Sequence, residues 1–211
     1  MESLALPTLW LAACPAAVPP AWVGQLSAPE REWMLAIKVP QRRLQMVSAR
    51  ILARQALFAH FPAQSGPIQI SAGDNQAPQL VGFPGVHLNL SHSRDYVACL
   101  IDTTPCGVDI ERTDKIRDFE GIAAKTFTPS QCQRLQALEA KERQARFYQF
   151  WCAYEAKLKS TLEAPVLYAG SFQGYAIAAA LRQGQAHLDL RLADLLDRSS
   201  SALYPLTRLP A

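Results

Sequence analysis

The run Cys106-Gly107-Val108-Asp109-Ile110-Glu111 constrains this chain more than any other stretch. Two acids separated by one apolar residue, among β-branched neighbours, predict a strand. Strand side chains alternate between faces, so Asp109 and Glu111 share one face while Val108 and Ile110 fill the other. Like charges side by side on a sheet repel unless a cation sits between them. Oxygen ligands of this kind suit Mg²⁺, which tends to use one or two carboxylates together with phosphate oxygens of a substrate. The plain alternative is an exposed strand edge with two solvated acids.

At 211 residues the chain holds one large domain or two small ones and can bury a sizeable core. Its net charge of +3 allows an acidic or phosphate-bearing partner. No basic stripe interleaved with aromatics is present, so nucleic acid is not expected. The five cysteines are scattered and form no CxxC, which predicts reduced thiols in a cytoplasmic protein. The histidines show no HxxxH or HExxH spacing, which argues against a zinc enzyme. The start, Met1 to Pro20, is apolar, but it carries Glu2 where a signal peptide has positive charge, and Pro7 and Pro15 interrupt it. No apolar run reaches roughly 18 residues, so no membrane-spanning helix is expected.

In chain order, residues 6–14 read as a short strand. Ser27 with Glu30 three residues on reads as a capped helix start. Gln41 to Phe61 has the longest helical pattern, with Met46, Ile51, Leu52 and Leu57 on its apolar face. Arg42, Arg43, Arg50 and Arg54 lie largely off that face, as a solvated surface or as anion ligands. A break at Pro62–Gly66, a strand at 68–70 and a loop over 73–85 come next. Val86 to Leu90 and Tyr96 to Ile101 alternate as strands around an Arg94-Asp95 turn. The interruption at Thr103-Thr104-Pro105 divides the chain into halves, 1–103 and 104–211. Residues 114–140 read as helical with a restart at Thr128-Pro129, and Lys141 to Leu162 as a long helix. Tyr175–Leu181 and Ala186–Leu192, joined by 182–185, predict a hairpin.

On that last helix Trp151, Glu155 and Lys159 recur every four residues and share a face. The pair Glu155/Lys159 is either an ordinary surface ion pair, or a third carboxylate and a cation for the site of Asp109 and Glu111. Spacing does not choose between these. Further residues do: Leu88-Asn89-Leu90-Ser91-His92-Ser93, Gly107 to Glu111, and Trp151 to Lys159 resemble, in order and spacing, three motifs of the Sfp-type 4′-phosphopantetheinyl transferases. Phe127-Thr128 matches a family pair, and Ser48 to Arg54 is a looser match. The resemblance covers about residues 26–175.

The resemblance implies an α/β (α+β) fold of the 4′-phosphopantetheinyl transferase type: a monomer of two similar halves related by pseudo-two-fold symmetry, with coenzyme A in the cleft between them. The implied reaction moves phosphopantetheine from coenzyme A to a serine of an acyl or peptidyl carrier protein and leaves 3′,5′-ADP. On the family pattern Asp109, Glu111 and Glu155 would hold Mg²⁺. Glu155 would also serve as base for the serine, directly or through water, with Lys159 and His92 completing the catalytic set. Lys159, Ser91, His92, Arg31 and Arg43 would contact the phosphates of coenzyme A. A carrier protein is then the implied partner, with no role for membrane or nucleic acid. Three positions depart from the pattern. Tyr154 and Ala77 stand where the family usually has lysine, and Gln131 where it often has Glu. Losing two cations should weaken coenzyme A binding, which leaves open a coenzyme A-binding protein of the same fold with little turnover.

Overall fold

The computed structural model describes residues 6–62, 68–71, 78–184, 187–197 and 199–210, and the side chains of 200–203 are left aside. The first residues of the apolar start, the break at 63–66, the loop positions Gln76 and Ala77, and the link at Gln185 lie outside the described residues. The first half supplies strand β1 (Thr8–Ala13), a turn of helix α1 (Pro20–Val23), α2 (Ala28–Ala36), α3 (Pro40–His60), and strands β2 (Gln69–Ser71), β3 (Gln79–Val81), β4 (His87–Ser93) and β5 (Tyr96–Asp102). The second half supplies β6 (Gly107–Arg112), α4 (Phe119–Thr126), α5 (Pro129–Gln136), α6 (Ala140–Ser160), β7 (Val166–Phe172), β8 (Tyr175–Leu181), β9 (His187–Ala193) and β10 (Ser200–Arg208).

Eight strands form one sheet in the order β4-β5-β1-β9-β10-β7-β8-β6, while β2 and β3 pair separately. Every described pairing is antiparallel except β1 with β9, which joins the two halves. The sheet is nearly closed: its two edge strands, β4 and β6, face each other across a seam. Alternation sorts each strand between layers. Leu9, Leu11, Val108, Ile110, Ile177 and Leu190 point into an inner core. Trp10, Leu88 and Val97 face the other way and are covered by α3. Ala176, Ala178 and Ala180 are covered by α6. Because Val108 and Ile110 point inward, Asp109 and Glu111 are turned to the outer side, where α6 lies.

The predicted hairpin of β8 with β9 is not formed, and the structure corrects it. Both strands exist, but β8 pairs with β7 and β6, whereas β9 pairs with β1 and β10. The sharp turn is Gln173-Gly174, between β7 and β8, with φ of 46° and 80°. Positive φ at both central residues twists the chain in the sense that flanking strands need, so this turn, and not 182–185, closes the hairpin. Local signals did hold at the helix starts. Ser27 and Glu30 make a reciprocal capping box, and so do Thr128 and Gln131. Gln131 thus performs at the cap what Glu would.

Gly107 sets the distance between β6 and α6. A Cβ there would lie 2.0 Å from the Ala156 carbonyl oxygen and 2.7 Å from the Ser160 nitrogen, both backbone atoms that cannot swing aside. Gly107→Ala should therefore push α6 off the strand. We expect a loss of about 1–3 kcal/mol, seen as a melting point lower by roughly 2–12 °C in a thermal scan. A variant melting within 1 °C of wild type would contradict this close approach.

Candidate active site

The seam between β4 and β6 is bridged by side chains. Asn89, Ser91 and Ser93, alternate residues of β4, accept hydrogen bonds from the backbone N–H groups of Val108 (2.9 Å), Ile110 (3.4 Å) and Arg112 (3.0 Å). The spacing of two on one strand matches the spacing of two on the other. The same serines hold the acids: Ser91 Oγ donates to Asp109 Oδ1 at 2.9 Å, and Ser93 Oγ to Glu111 Oε2 at 3.0 Å. Ser91, assigned to phosphate by the family pattern, is thus fully engaged within the protein. Asn89 and Ser93 were not predicted as site residues, although their alternation with Ser91 was visible in the sequence.

Lys159 reaches this cluster from α6. Its ammonium donates to Asp109 Oδ1 (2.7 Å), Ser91 Oγ (3.1 Å) and the Val108 carbonyl (3.2 Å), which uses its three N–H donors. Asp109 is 6% exposed, and its other oxygen, Oδ2, is buried without a hydrogen-bond partner. An orphaned carboxylate oxygen costs about 1–3 kcal/mol or more unless something satisfies it. Glu155 stands half-buried on the same face of α6 and, among the described residues, makes no hydrogen bond or ion pair. Its burial, and then the charge of Asp109, push its pKa above the ordinary 4.5, against the pull of Lys159.

Glu111 is held differently. Lys115 Nζ and Arg117 Nη2 lie 2.8 and 3.0 Å from its two oxygens. Burial opposes its charge, but the Lys115 contact, the Ser93 hydroxyl and Arg117 together hold its pKa below 4.5. Among the described residues no three His, Cys, Asp or Glu side chains are grouped as a metal site. The orphaned Asp109 oxygen and the unpartnered Glu155 still fit a divalent cation, since such an ion would satisfy the one and relieve the repulsion felt by the other.

His92 points to the opposite side of β4 from the serines. Its ring is lowered in pKa by the protein packed around it and then by the positive charges of Arg42 and Lys159. Arg42 and Lys159 thus form a cationic zone beside the neutral His92 ring. Arg42 was visible as one of a cluster but not singled out. Arg43 does not join it: its guanidinium caps the Ile37 carbonyl at the end of α2, at 2.7 and 3.2 Å. Arg31 donates to the Leu26 carbonyl and lines a cavity of about 620 Å³ with Ser27, Pro29, Gln69, Ser71 and Val81. That volume falls within the usual range of small-molecule sites. None of Ser91, His92, Asp109, Glu155 or Lys159 borders it.

The sequence model of the 4′-phosphopantetheinyl transferase superfamily matches residues 105–202. The match lies within the second half of the chain. The relatives it resembles are of the Sfp type, as the motifs predicted. The 4′-phosphopantetheinyl transferase HetI of a Nostoc species is 27% identical over 126 residues, 58% of this chain and 53% of the relative. For the transferase Sfp of Bacillus subtilis the identity is 30% over 109 residues, covering 52% and 48%. For psf-1 of Bacillus pumilus it is 32% over 111 residues, covering 53% and 47%. The chain thus spans about half the length of these relatives. Among the described residues no helix is long and apolar enough to cross a membrane.

Proposed function

We propose that this protein is a 4′-phosphopantetheinyl transferase: a carrier-protein serine attacks the β-phosphorus of coenzyme A, the bond to the bridging pyrophosphate oxygen breaks, and 3′,5′-ADP departs. The observation that carries this reading is the arrangement at the β4–β6 seam. Lys159 and Ser91 fix one oxygen of Asp109, the other is free of partners, and Glu155 stands beside it without a partner. Asp109 and Glu155 would hold Mg²⁺, which when bound neutralises charge that builds on the phosphoryl oxygens. Lys159 presents a fixed positive charge from behind Asp109 and lowers the energy of the same developing charge. Glu155 accepts the serine proton, directly or through one water. His92 and Arg42 face the phosphates, and Arg31 the nucleotide end in its cavity. The acceptor is an acyl or peptidyl carrier protein, and the enzyme works as a cytoplasmic monomer of two similar halves, 1–103 and 104–211. Consistent with that location, its five cysteines are all free thiols.

The test is to incubate the protein with coenzyme A, Mg²⁺ and several apo carrier proteins and to weigh the carriers. A carrier heavier by one phosphopantetheine supports the transferase. Coenzyme A binding with no carrier gaining mass would overturn it in favour of the binding protein.

His92 makes a second expectation. Its pKa lies below 6.5 in the free protein, so the ring is neutral at pH 7. A phosphate placed beside it raises that pKa, so binding takes up a proton between the two values. Coenzyme A affinity should therefore rise as pH falls from the raised His92 pKa of the complex to its lowered value in the free protein, by at most about tenfold per pH unit. Calorimetry across pH would show this slope, and His92→Gln should flatten it. A slope unchanged in the variant would remove His92 from the phosphates.

A further inference from the structure

Glu111 and Asp109 sit two residues apart on one strand face, yet their surroundings differ. Both oxygens of Glu111 are taken, one by Arg117 and the other by Lys115 and Ser93. The two cations belong to the segment between β6 and α4, and that segment is itself laid along α6. Gln144 Nε2 donates to the Thr113 carbonyl and Tyr148 Oη to the Lys115 carbonyl, each at 2.6 Å. The Arg117 guanidinium stacks over Tyr148 and Trp151, at 5.9 and 5.6 Å from their ring centres. Gln144, Tyr148 and Trp151 recur at helical spacing on the face that, one turn later, presents Glu155. A divalent ion at Glu111 would have to displace two fixed cations or share the carboxylate with them. At Asp109 it meets a buried oxygen with no partner, and at Glu155 a carboxylate with none.

We propose that in this chain Glu111 is the anchor of the segment 113–117 and not a metal ligand, so that the protein holds its divalent cation through two carboxylates, Asp109 and Glu155. This rests on the transferase reading above and departs from the three-carboxylate set that the sequence resemblance implied. Lys115 and Arg117 are then positioning residues: they keep Glu111 from the ion and hold the segment against α6.

The experiment uses Mn²⁺ as the probe, with free Mn²⁺ counted by electron paramagnetic resonance in the presence of coenzyme A. Hydrogen exchange over 113–118 is followed in the same proteins. Asp109→Asn and Glu155→Gln should each weaken Mn²⁺ binding at least tenfold. Glu111→Gln should change it less than threefold while exchange over 113–118 speeds up at least tenfold, and Arg117→Met should speed exchange in the same way. In a Lys115→Met/Arg117→Met background, where Glu111 is released and free to reach the ion, adding Glu111→Gln should weaken Mn²⁺ binding more than threefold. Weakening by Glu111→Gln equal to that of Asp109→Asn, with Lys115 and Arg117 in place, would overturn the two-carboxylate site and leave the transferase reading standing. No Mn²⁺ bound by the wild type would overturn both.

Discussion

Glu155→Gln should bind coenzyme A within a few-fold of wild type and transfer phosphopantetheine about 10²–10⁴ times more slowly, the usual span for a positioned general base. The amide keeps the size of the carboxylate but cannot accept the serine proton. The distinction from a structural role lies in the pH profile. Burial and the neighbouring Asp109 raise the pKa of Glu155, so in the free protein this carboxyl keeps its proton to a higher pH than an ordinary glutamate. A base acts only when unprotonated. Transfer by the wild type should fall at acid pH as Glu155 takes up its proton, with a slope of one proton, and Mg²⁺ held by the same carboxyl draws this limb to lower pH than in the free protein. In Glu155→Gln the residual rate should lose this acid limb. Single-turnover rates between pH 4.5 and 8, with coenzyme A binding measured alongside, would decide the matter. Equal rates for variant and wild type, or an acid limb that survives the substitution, would take Glu155 out of the base role.

The parts of the site that were legible in the sequence are those set by local rules. Alternation put Asp109 and Glu111 on one face, and the structure keeps them there. The four-residue spacing aligned Trp151, Glu155 and Lys159 on α6. Capping signals at Ser27 and Thr128 located two helix starts. What escaped depends on partners distant in the chain. The pairing order of β7 to β10 is decided by how a nearly closed sheet completes itself, and a loop such as 182–185 carries no information about that. Ser91 was readable as a polar residue at a strand end, but its engagement by Ile110, Asp109 and Lys159 needs three segments brought together. Lys115 and Arg117 follow the acidic strand within six residues, yet only the fold turns them back onto Glu111. Helical periodicity alone places the arginines of α3 off its apolar face. In fact α3 is covered nearly all round, because α2 and the first sheet edge enclose the side that an amphipathic helix usually leaves to water.

That enclosure yields the second large effect. Arg50 and Arg54 are buried against Glu30 of α2, whose side chain is 2% exposed. Arg50 lies 3.3 Å from one oxygen and stacks over Trp33 at 5.0 Å, while Arg54 holds the other oxygen and also donates to the Ile68 carbonyl at 2.9 Å. Neither arginine is therefore available to an anion. Removing one member of a buried ionic group leaves uncompensated charge, at a cost of about 3–5 kcal/mol. Glu30→Ala should accordingly lower the melting point by roughly 6–20 °C for a chain of this size. It should also weaken coenzyme A binding, because α2 carries Arg31 and one wall of its cavity. The triple change Glu30→Leu/Arg50→Met/Arg54→Met separates charge from packing. An apolar replacement of similar volume removes the burial penalty along with the pairing, and such exchanges are often neutral or stabilising. The triple variant should melt well above Glu30→Ala even though it lacks every ion pair of the group. If it melts no higher, the stability lost in Glu30→Ala is not a matter of charge balance but of the hydrogen bonds that position Arg54, which it makes to the Ile68 and Arg50 carbonyls.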